Sequence, residues 1–236
     1  MNQIPKIIHY CWFGGNKIPK EALRCINSWK EIMPDYELKI WNEENFDITC
    51  NEFVYQAYNN KKYAFVTDFV RLYALYNYGG IYMDTDVEVI KPLNRFLKHR
   101  AFTSFENEYS IPTGMMAACK NNEWIKILLD FYNDKEFKLD DGSIYNIPNT
   151  RTITDITLKN YNLKLNNKYQ VLDNNIHIYP FDYFCAKDWR TGKINITENT
   201  YTIHHFMGSW VPKKEKVIGR VTYGVKRLIR GCIKSI

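Results

Sequence analysis

No run of about 18 apolar residues occurs in this chain of 236 residues, so nothing in it reads as a helix that crosses a membrane. The six cysteines (Cys11, Cys25, Cys50, Cys119, Cys185 and Cys232) contain no C-x-x-C pair, which excludes a zinc ribbon and supplies no disulfide framework. No internal repeat and no low-complexity linker divides the chain. The apolar run after Met1, "NQIPKIIHYCWFGG", is too short for a secretory signal and is interrupted by His9. A reducing cytoplasm is therefore the expected compartment.

What is present is the balance of a soluble globular domain. Hydrophobic residues make up 45% and charged residues 25%, and the length suffices for one well-filled core. The aromatic share of 16% is high; it suits stacking on rings and sugars but also serves ordinary cores, so alone it decides little. Charge is placed unevenly. In 213–236 eight basic residues stand against the single acid Glu215, a net +7 that exceeds the whole-chain +6. Residues 1–212 are thus nearly neutral, and this body offers no patch for nucleic acid.

Alternating strand and helix signals run along the body. An opening strand is expected over 5–13, a helix over 20–33 stopped by Pro34, and a strand over 36–41. Helical pattern returns over 50–60 and 63–78, the latter closed by Gly79-Gly80, and "IYMD" follows as a strand. A helix is expected over 121–133, a polar loop over 134–160, short strands near 170–180, and a last strand in "TYTIHHFMGSW" (200–210). This order points to an α/β layer with a largely parallel sheet.

Three constellations carry chemistry. The first is "GGIYMDTDVEV" (79–89), where a buried strand ends on Asp84-Thr85-Asp86. Two carboxylates this close repel, and burying either unpaired is costly, so a positive group is expected beside them. Strand alternation would turn Asp84 and Asp86 to one side, where hard oxygen donors suit Mn²⁺ or Mg²⁺. A bare D-x-D is nonetheless common on solvated turns. Second, Asp68 and Arg71 share a face of the 63–78 helix; they read either as a surface ion pair of little consequence or as a clamp for sugar hydroxyls or phosphate. Third, "HHFMGSW" (204–210) offers an imidazole as a further metal ligand and an indole donor, or else a core histidine and tryptophan.

Taken in order, "IPKIIHYCWFGG", "VTDFVRLYALYNYGGIYMDTDV" and "HHFMGSW" resemble the DxD-containing glycosyltransferases of family 32 over residues 4–212. More distantly, they are similar to the glucosyltransferase domain of large clostridial toxins. The resemblance implies a GT-A fold, a Rossmann-like mixed, mostly parallel sheet flanked by helices, as a domain over 1–212. It implies a retaining, metal-dependent hexosyltransferase using a nucleotide-sugar, with a UDP-sugar favoured, Mn²⁺ or Mg²⁺ as cofactor, and a saccharide or lipid-linked acceptor in bacterial surface polysaccharide or capsule synthesis.

By the same resemblance Trp12 stacks on the base, while Thr67, Asp68 and Arg71 hold ribose or donor sugar, and Tyr82 lies beside the nucleoside. Asp84 and Asp86 are the metal and donor acids, and Ser209 and Trp210 lie near the diphosphate. His205 matches the late histidine ligand, with His204 as the alternative. Asp68, Arg71, Asp84 and Asp86 form the expected catalytic group. The stretch "IPTGMM" (111–116) departs from the asparagine-containing pattern of the family, and "PNTRTITD" (148–155) matches its acceptor-side segment only loosely. No carboxylate is marked by position as a covalent nucleophile, which leaves a front-face path in which the leaving phosphate takes the acceptor's proton.

Within the basic tail 213–236, a helical wheel of 216–236 separates Lys216, Arg220, Lys226, Arg227, Arg230 and Lys234 from Val217, Ile218, Val221, Val225, Leu228, Ile229, Cys232 and Ile236. A basic amphipathic helix of this kind suits an anionic membrane surface, on the inner face of the cell membrane, or else a protein face. Two other readings remain in view. A D-x-D phosphohydrolase would want Thr or Val at the fifth motif position, where Glu88 stands. A non-catalytic carbohydrate-binding or scaffold protein would be expected to lose an acid from the D-x-D or the Asp68/Arg71 pair.

Overall fold

A computed structural model describes residues 3–112, 114–139 and 141–208. The chain divides into a compact unit up to Phe206 and a second beginning at Met207. The boundary expected between 212 and 213, the tail helix, Ser209 and Trp210 lie outside the described residues. Among the described residues, no helix is long and apolar enough to cross a membrane.

The first unit opens with β1 (Ile7–Cys11), α1 (Lys20–Ile32) and β2 (Glu37–Trp41), then α2 (Glu52–Asn59) and α3 (Tyr63–Tyr78). After these come β3 (Gly80–Met83), β4 (Val87–Val89), β5 (Ala101–Ser104), β6 (Met115–Ala118) and α4 (Glu123–Asp130). The last elements are α5 (Asn149–Asn160), β7 (Gln170–Leu172), β8 (Ile176–Tyr179), α6 (Phe181–Phe184) and β9 (Thr202–His204). Seven strands form one sheet in the order β2-β1-β3-β6-β5-β8-β7, and β4 and β9 form a separate two-stranded ribbon. In the large sheet β6 and β7 run against their neighbours while the other strands share one direction. The sheet is thus mixed and mostly parallel, as expected.

Alternation divides the core between the two faces of this sheet. Tyr82 and Met116 pack with residues of α2, α3 and α4 such as Phe53, Leu72 and Trp124. Ile81, Met83 and Met115 pack on the other face with Trp29 of α1, Val87 and Phe96. Helix α1 needs one apolar stripe and has it in Ala22, Cys25, Ile26 and Trp29. Helix α3 buries Val66, Phe69, Val70, Arg71, Leu72, Ala74 and Leu75, a set too broad for a surface helix, and it lies between the sheet and its helical neighbours.

One expectation needs correction. The stretch 134–160 is not a loop throughout, because α5 occupies its second half. The polar composition hides a buried face of threonines. The hydroxyls of Thr154 and Thr157 bond back to the carbonyls of Thr150 and Ile153 (both 2.7 Å), and Thr157 also accepts from the Trp124 indole at 3.0 Å. Pro148 stands at the N-cap, where its fixed φ and absent N–H do no harm.

Candidate active site

The site is built where α3 turns into β3. Gly79 closes α3 at φ +68°, and a Cβ there would lie 2.6 Å from the Lys120 backbone nitrogen, so only glycine permits so direct a reversal. The Gly79 carbonyl is held by buried His9, whose Nε2–H donates to it at 2.8 Å while its Nδ1 accepts from the Trp41 indole at 3.1 Å. That pair of contacts fixes the tautomer, and burial lowers the imidazole's pKa to about 4, so the ring stays neutral. Strand β3 is thereby aimed before its acids emerge.

Asp84 and Asp86 come together by a turn, not by strand alternation. Strand β3 ends at Met83, and the Val87 N–H donates to the Asp84 carbonyl at 3.0 Å, closing a tight turn. The Asp84 N–H is received by the Gly114 carbonyl at 2.8 Å. Beyond the turn the ribbon takes over. Val87 of β4 pairs with His204 of β9, and the His205 N–H donates to the Asp86 carbonyl at 2.9 Å.

The ribbon chooses between the two histidines. His204 Nε2 lies 3.2 Å from Asp86 Oδ1 and 3.9 Å from Asp84 Oδ2, and one ligand atom from each of the three residues falls within 4.8 Å of the others. His205, the residue expected from resemblance, faces the other way: its Nε2 is 2.7 Å from Glu88 Oε2, whose carboxylate also meets Arg24 at 3.6 Å. Successive side chains leaving a strand point to opposite sides, so only one of two adjacent histidines reaches the acids. Here it is the alternative, His204. Room for its ring comes from Gly114, where a Cβ would stand 2.7 Å from His204 Cε1 and Nδ1.

Behind the triad sits a second group. Arg71 pairs with Asp68 at 3.1 Å and with Asp84 at 3.5 Å, and its guanidinium lies over the Tyr82 ring at 4.6 Å. The Tyr82 hydroxyl donates to Asp84 Oδ1 at 2.8 Å, and the Asn149 amide donates to Asp68 Oδ1 at 2.9 Å. The Asp68–Arg71 pair is therefore no surface ion pair, since the Arg71 side chain is 5% exposed and that of Asp68 13%. Burial raises the Asp68 carboxyl to about 7 against the pull of Arg71 and Asn149. Burial works against the Arg71 charge, but Tyr82, Asp84 and Asp68 outweigh it and hold the guanidinium protonated.

The remaining expected residues stand at the edge of this group. Thr67, one turn before Arg71, accepts the Arg71 Nε–H at its carbonyl (3.3 Å) and donates its hydroxyl to Tyr63. Trp12 follows β1 and is partly buried, its indole donating to the Asn16 carbonyl at 2.6 Å. Three residues escaped the sequence reading. Asn149 lay in the expected loop, and Gly114 in the stretch that departs from the family pattern. Glu106 follows β5 with no motif around it; burial raises its carboxyl, opposed by His204 and reinforced by Asp84.

The triad fits a divalent cation on its own chemistry. Two carboxylates and an imidazole converge, a donor set suited to Mn²⁺ or Mg²⁺. Burial works to lower the His204 pKa, yet the adjacent Asp86 carboxylate raises it well above its usual value, so this position favours positive charge. His204 Nδ1 is buried and without a hydrogen-bond partner among the described residues.

Comparison with known proteins gives a consistent picture. Residues 19–103, which contain α3 and the turn of acids, match the family described as a glycosyltransferase sugar-binding region containing a DXD motif. The chain is 32% identical over 126 residues to inositol phosphoceramide mannosyltransferase 3 of Schizosaccharomyces pombe, covering 52% of this chain and 35% of that protein. It is also 32% identical over 113 residues to inositol phosphoceramide mannosyltransferase 1 of the same yeast, covering 43% and 34%. The chain thus spans about a third of the length of these curated relatives. Among solved structures it resembles PaToxG glycosyltransferase, with a TM-score of 0.50, 20% identity, and coverage of 67% of this chain and 69% of that one. At that identity the likeness is one of fold, the GT-A type.

Proposed function

We propose that this chain, whose residues 19–103 carry the DXD-containing sugar-binding region of glycosyltransferases, transfers a hexose from a nucleotide-sugar to a hydroxyl-bearing acceptor with retention of configuration. The observation that carries the reading is the joining of two groups through Asp84: the Asp84–Asp86–His204 triad on one side and the buried Arg71–Asp68 pair on the other. A phosphate-bearing donor needs positive charge where the diphosphate leaves, and acceptors of hydrogen bonds where the sugar sits. Arg71 supplies the first. Asp68, oriented by Arg71 and Asn149, supplies the second when ionised.

Asp84, Asp86 and His204 would hold Mn²⁺ or Mg²⁺, which when bound adds Lewis-acid stabilisation of the leaving diphosphate. Tyr82 helps to orient the Asp84 carboxylate by donating its hydroxyl to Oδ1. We favour a UDP-hexose donor and a front-face path. The names of the yeast relatives speak of mannosyl transfer to an inositol phosphoceramide, which supports a lipid-linked as much as a saccharide acceptor. Bacterial surface polysaccharide synthesis at the inner face of the cell membrane, with the basic tail as a contact to anionic lipid, rests on the sequence pattern.

The test is donor turnover. Purified protein is incubated with Mn²⁺ and a panel of UDP- and GDP-sugars, and released nucleotide is followed, with Asp86→Ala as control. Release from one donor, lost on chelation and in the variant, is the expected result. If no donor is cleaved and calorimetry detects no metal-dependent nucleotide binding, the scaffold reading replaces this one.

A further inference from the structure

Beside the donor constellation lies a small polar cleft of about 260 Å³, between the β5–β6 connection and the first turns of α5. Its volume is below the roughly 300–1,000 Å³ of pockets for drug-sized ligands, and so suits a single ring. Two contacts tie its walls to the donor side. Asn149, which holds Asp68, directly precedes the lining residue Thr150, and the Ile111 N–H donates to the hydroxyl of lining residue Thr154 at 3.1 Å. The β5–β6 connection also contains Gly114, which receives the Asp84 N–H and leaves room for His204. One short stretch of chain therefore borders both the triad and the cleft.

The lining has the chemistry of a carbohydrate site. Trp189 and Tyr109 line it while 51% and 72% exposed, high values for rings of that size. Such rings stack well on the apolar face of a sugar or cyclitol. Arg151 and Asp155, one helical turn apart and ion-paired at 3.5 Å, bring a donor and an acceptor to the same wall. Glu106 lines the cleft too, partly buried, and among the described residues no hydrogen bond or ion pair reaches its carboxylate. A partly buried carboxylate on the cleft wall can accept hydrogen bonds from ligand hydroxyls.

Resting on the donor reading above, we propose that this cleft is the acceptor subsite, which takes a neutral polyhydroxylated ring: Trp189 and Tyr109 stack on the ring, and Glu106 and Asp155 receive its hydroxyls. Glu106 shares the β5–β6 connection with Gly114, whose carbonyl receives the Asp84 N–H, so a hydroxyl bound to Glu106 lies on a wall continuous with the donor side. A pyranose and a cyclitol headgroup share this chemistry, and the probes distinguish them.

The experiment uses the full chain and two probes, methyl α-D-mannopyranoside and myo-inositol. Saturation-transfer NMR is recorded with each, for the native protein and for Trp189→Ala, Trp189→Phe and Glu106→Gln. Ring-proton saturation is expected with at least one probe, lost in Trp189→Ala and restored in Trp189→Phe. Where a donor is turned over, the half-saturating concentration of that probe should rise about five- to tenfold in Trp189→Ala and in Glu106→Gln, with donor half-saturation unmoved in Trp189→Ala. The NMR arm requires no turnover, so failure of the transferase reading leaves it informative. Absence of saturation with both probes, or saturation equal in native protein and Trp189→Ala, overturns the subsite. A rise in donor half-saturation parallel to that of the probe in Trp189→Ala assigns that residue to the donor site and overturns the subsite equally.

Discussion

At the scale of single residues, the site depends on side chains that are absent as much as on those present. Gly114 has no Cβ, and that vacancy is where the His204 ring stands. Restoring a methyl group would push the imidazole out of line with Asp86, while the Gly114 carbonyl still receives the Asp84 N–H. Gly114→Ala is therefore expected to weaken Mn²⁺ binding by about tenfold or more, the range seen when groups supporting metal ligands are removed, with little change in the far-ultraviolet spectrum. Titration followed by the electron paramagnetic resonance of free Mn²⁺ reads this directly. Unchanged affinity would show that His204 is not part of the cation site. His205→Ala breaks only the contact to Glu88 and should leave Mn²⁺ affinity nearly as it was.

At the scale of elements, the instructive case is α5. Its sequence "NTRTITDITLKN" has few apolar residues, and periodicity reasoning weighs apolar positions, so the segment reads as loop. What makes it a helix is tertiary: buried threonines that satisfy their hydroxyls within the helix and against Trp124. By contrast α3 was legible to the residue and β3 to within one residue at either end, because a long apolar helix and a glycine pair each leave a local mark, whereas the turn that carries the acids past the strand left none. The choice between His204 and His205 was not legible. It is made by the pairing of β4 with β9, a contact across more than a hundred residues that no local pattern reports.

Helix α5 matters to function through its first residue. Asn149 donates to Asp68, a contact that favours the ionised carboxylate, whereas burial favours the acid form and sets the pKa at about 7. Only the carboxylate accepts from sugar hydroxyls with all its lone pairs. In the donor assay, kcat/KM should then rise with pH through about 7 and level off above it. Asn149→Ala removes a group that lowers this pKa, so the rising limb should move to higher pH, with activity approaching the native value at the alkaline end. A loss that is equal at every pH would contradict the link and assign Asn149 to a purely geometric role.

At the scale of the whole molecule, the cation site is a junction. Asp84 follows β3 of the large sheet, Asp86 lies in the turn just before β4 of the ribbon, and His204 ends β9 near the close of the compact unit. Among the described residues, the β4–β9 pairing, the Tyr82 and Arg71 contacts to Asp84 and the His204–Asp86 contact already hold these pieces in place. A cation bound to all three would tie the ribbon to the sheet. Because it binds the folded arrangement and not the unfolded chain, it stabilises by mass action, about 2.7 kcal/mol at a hundredfold excess over its dissociation constant. For a domain of this size that corresponds to roughly 5–10 °C in melting temperature. Calorimetric scans with Mn²⁺, Mg²⁺ and excess chelator should show such a rise, largest with Mn²⁺, which tolerates imidazole better than Mg²⁺ does. The rise should vanish in Asp86→Ala. Since the readout is melting and not turnover, it separates the cation site from the transferase reading: no shift with either ion removes the metal from the proposal and leaves Arg71 as the group that faces the leaving diphosphate.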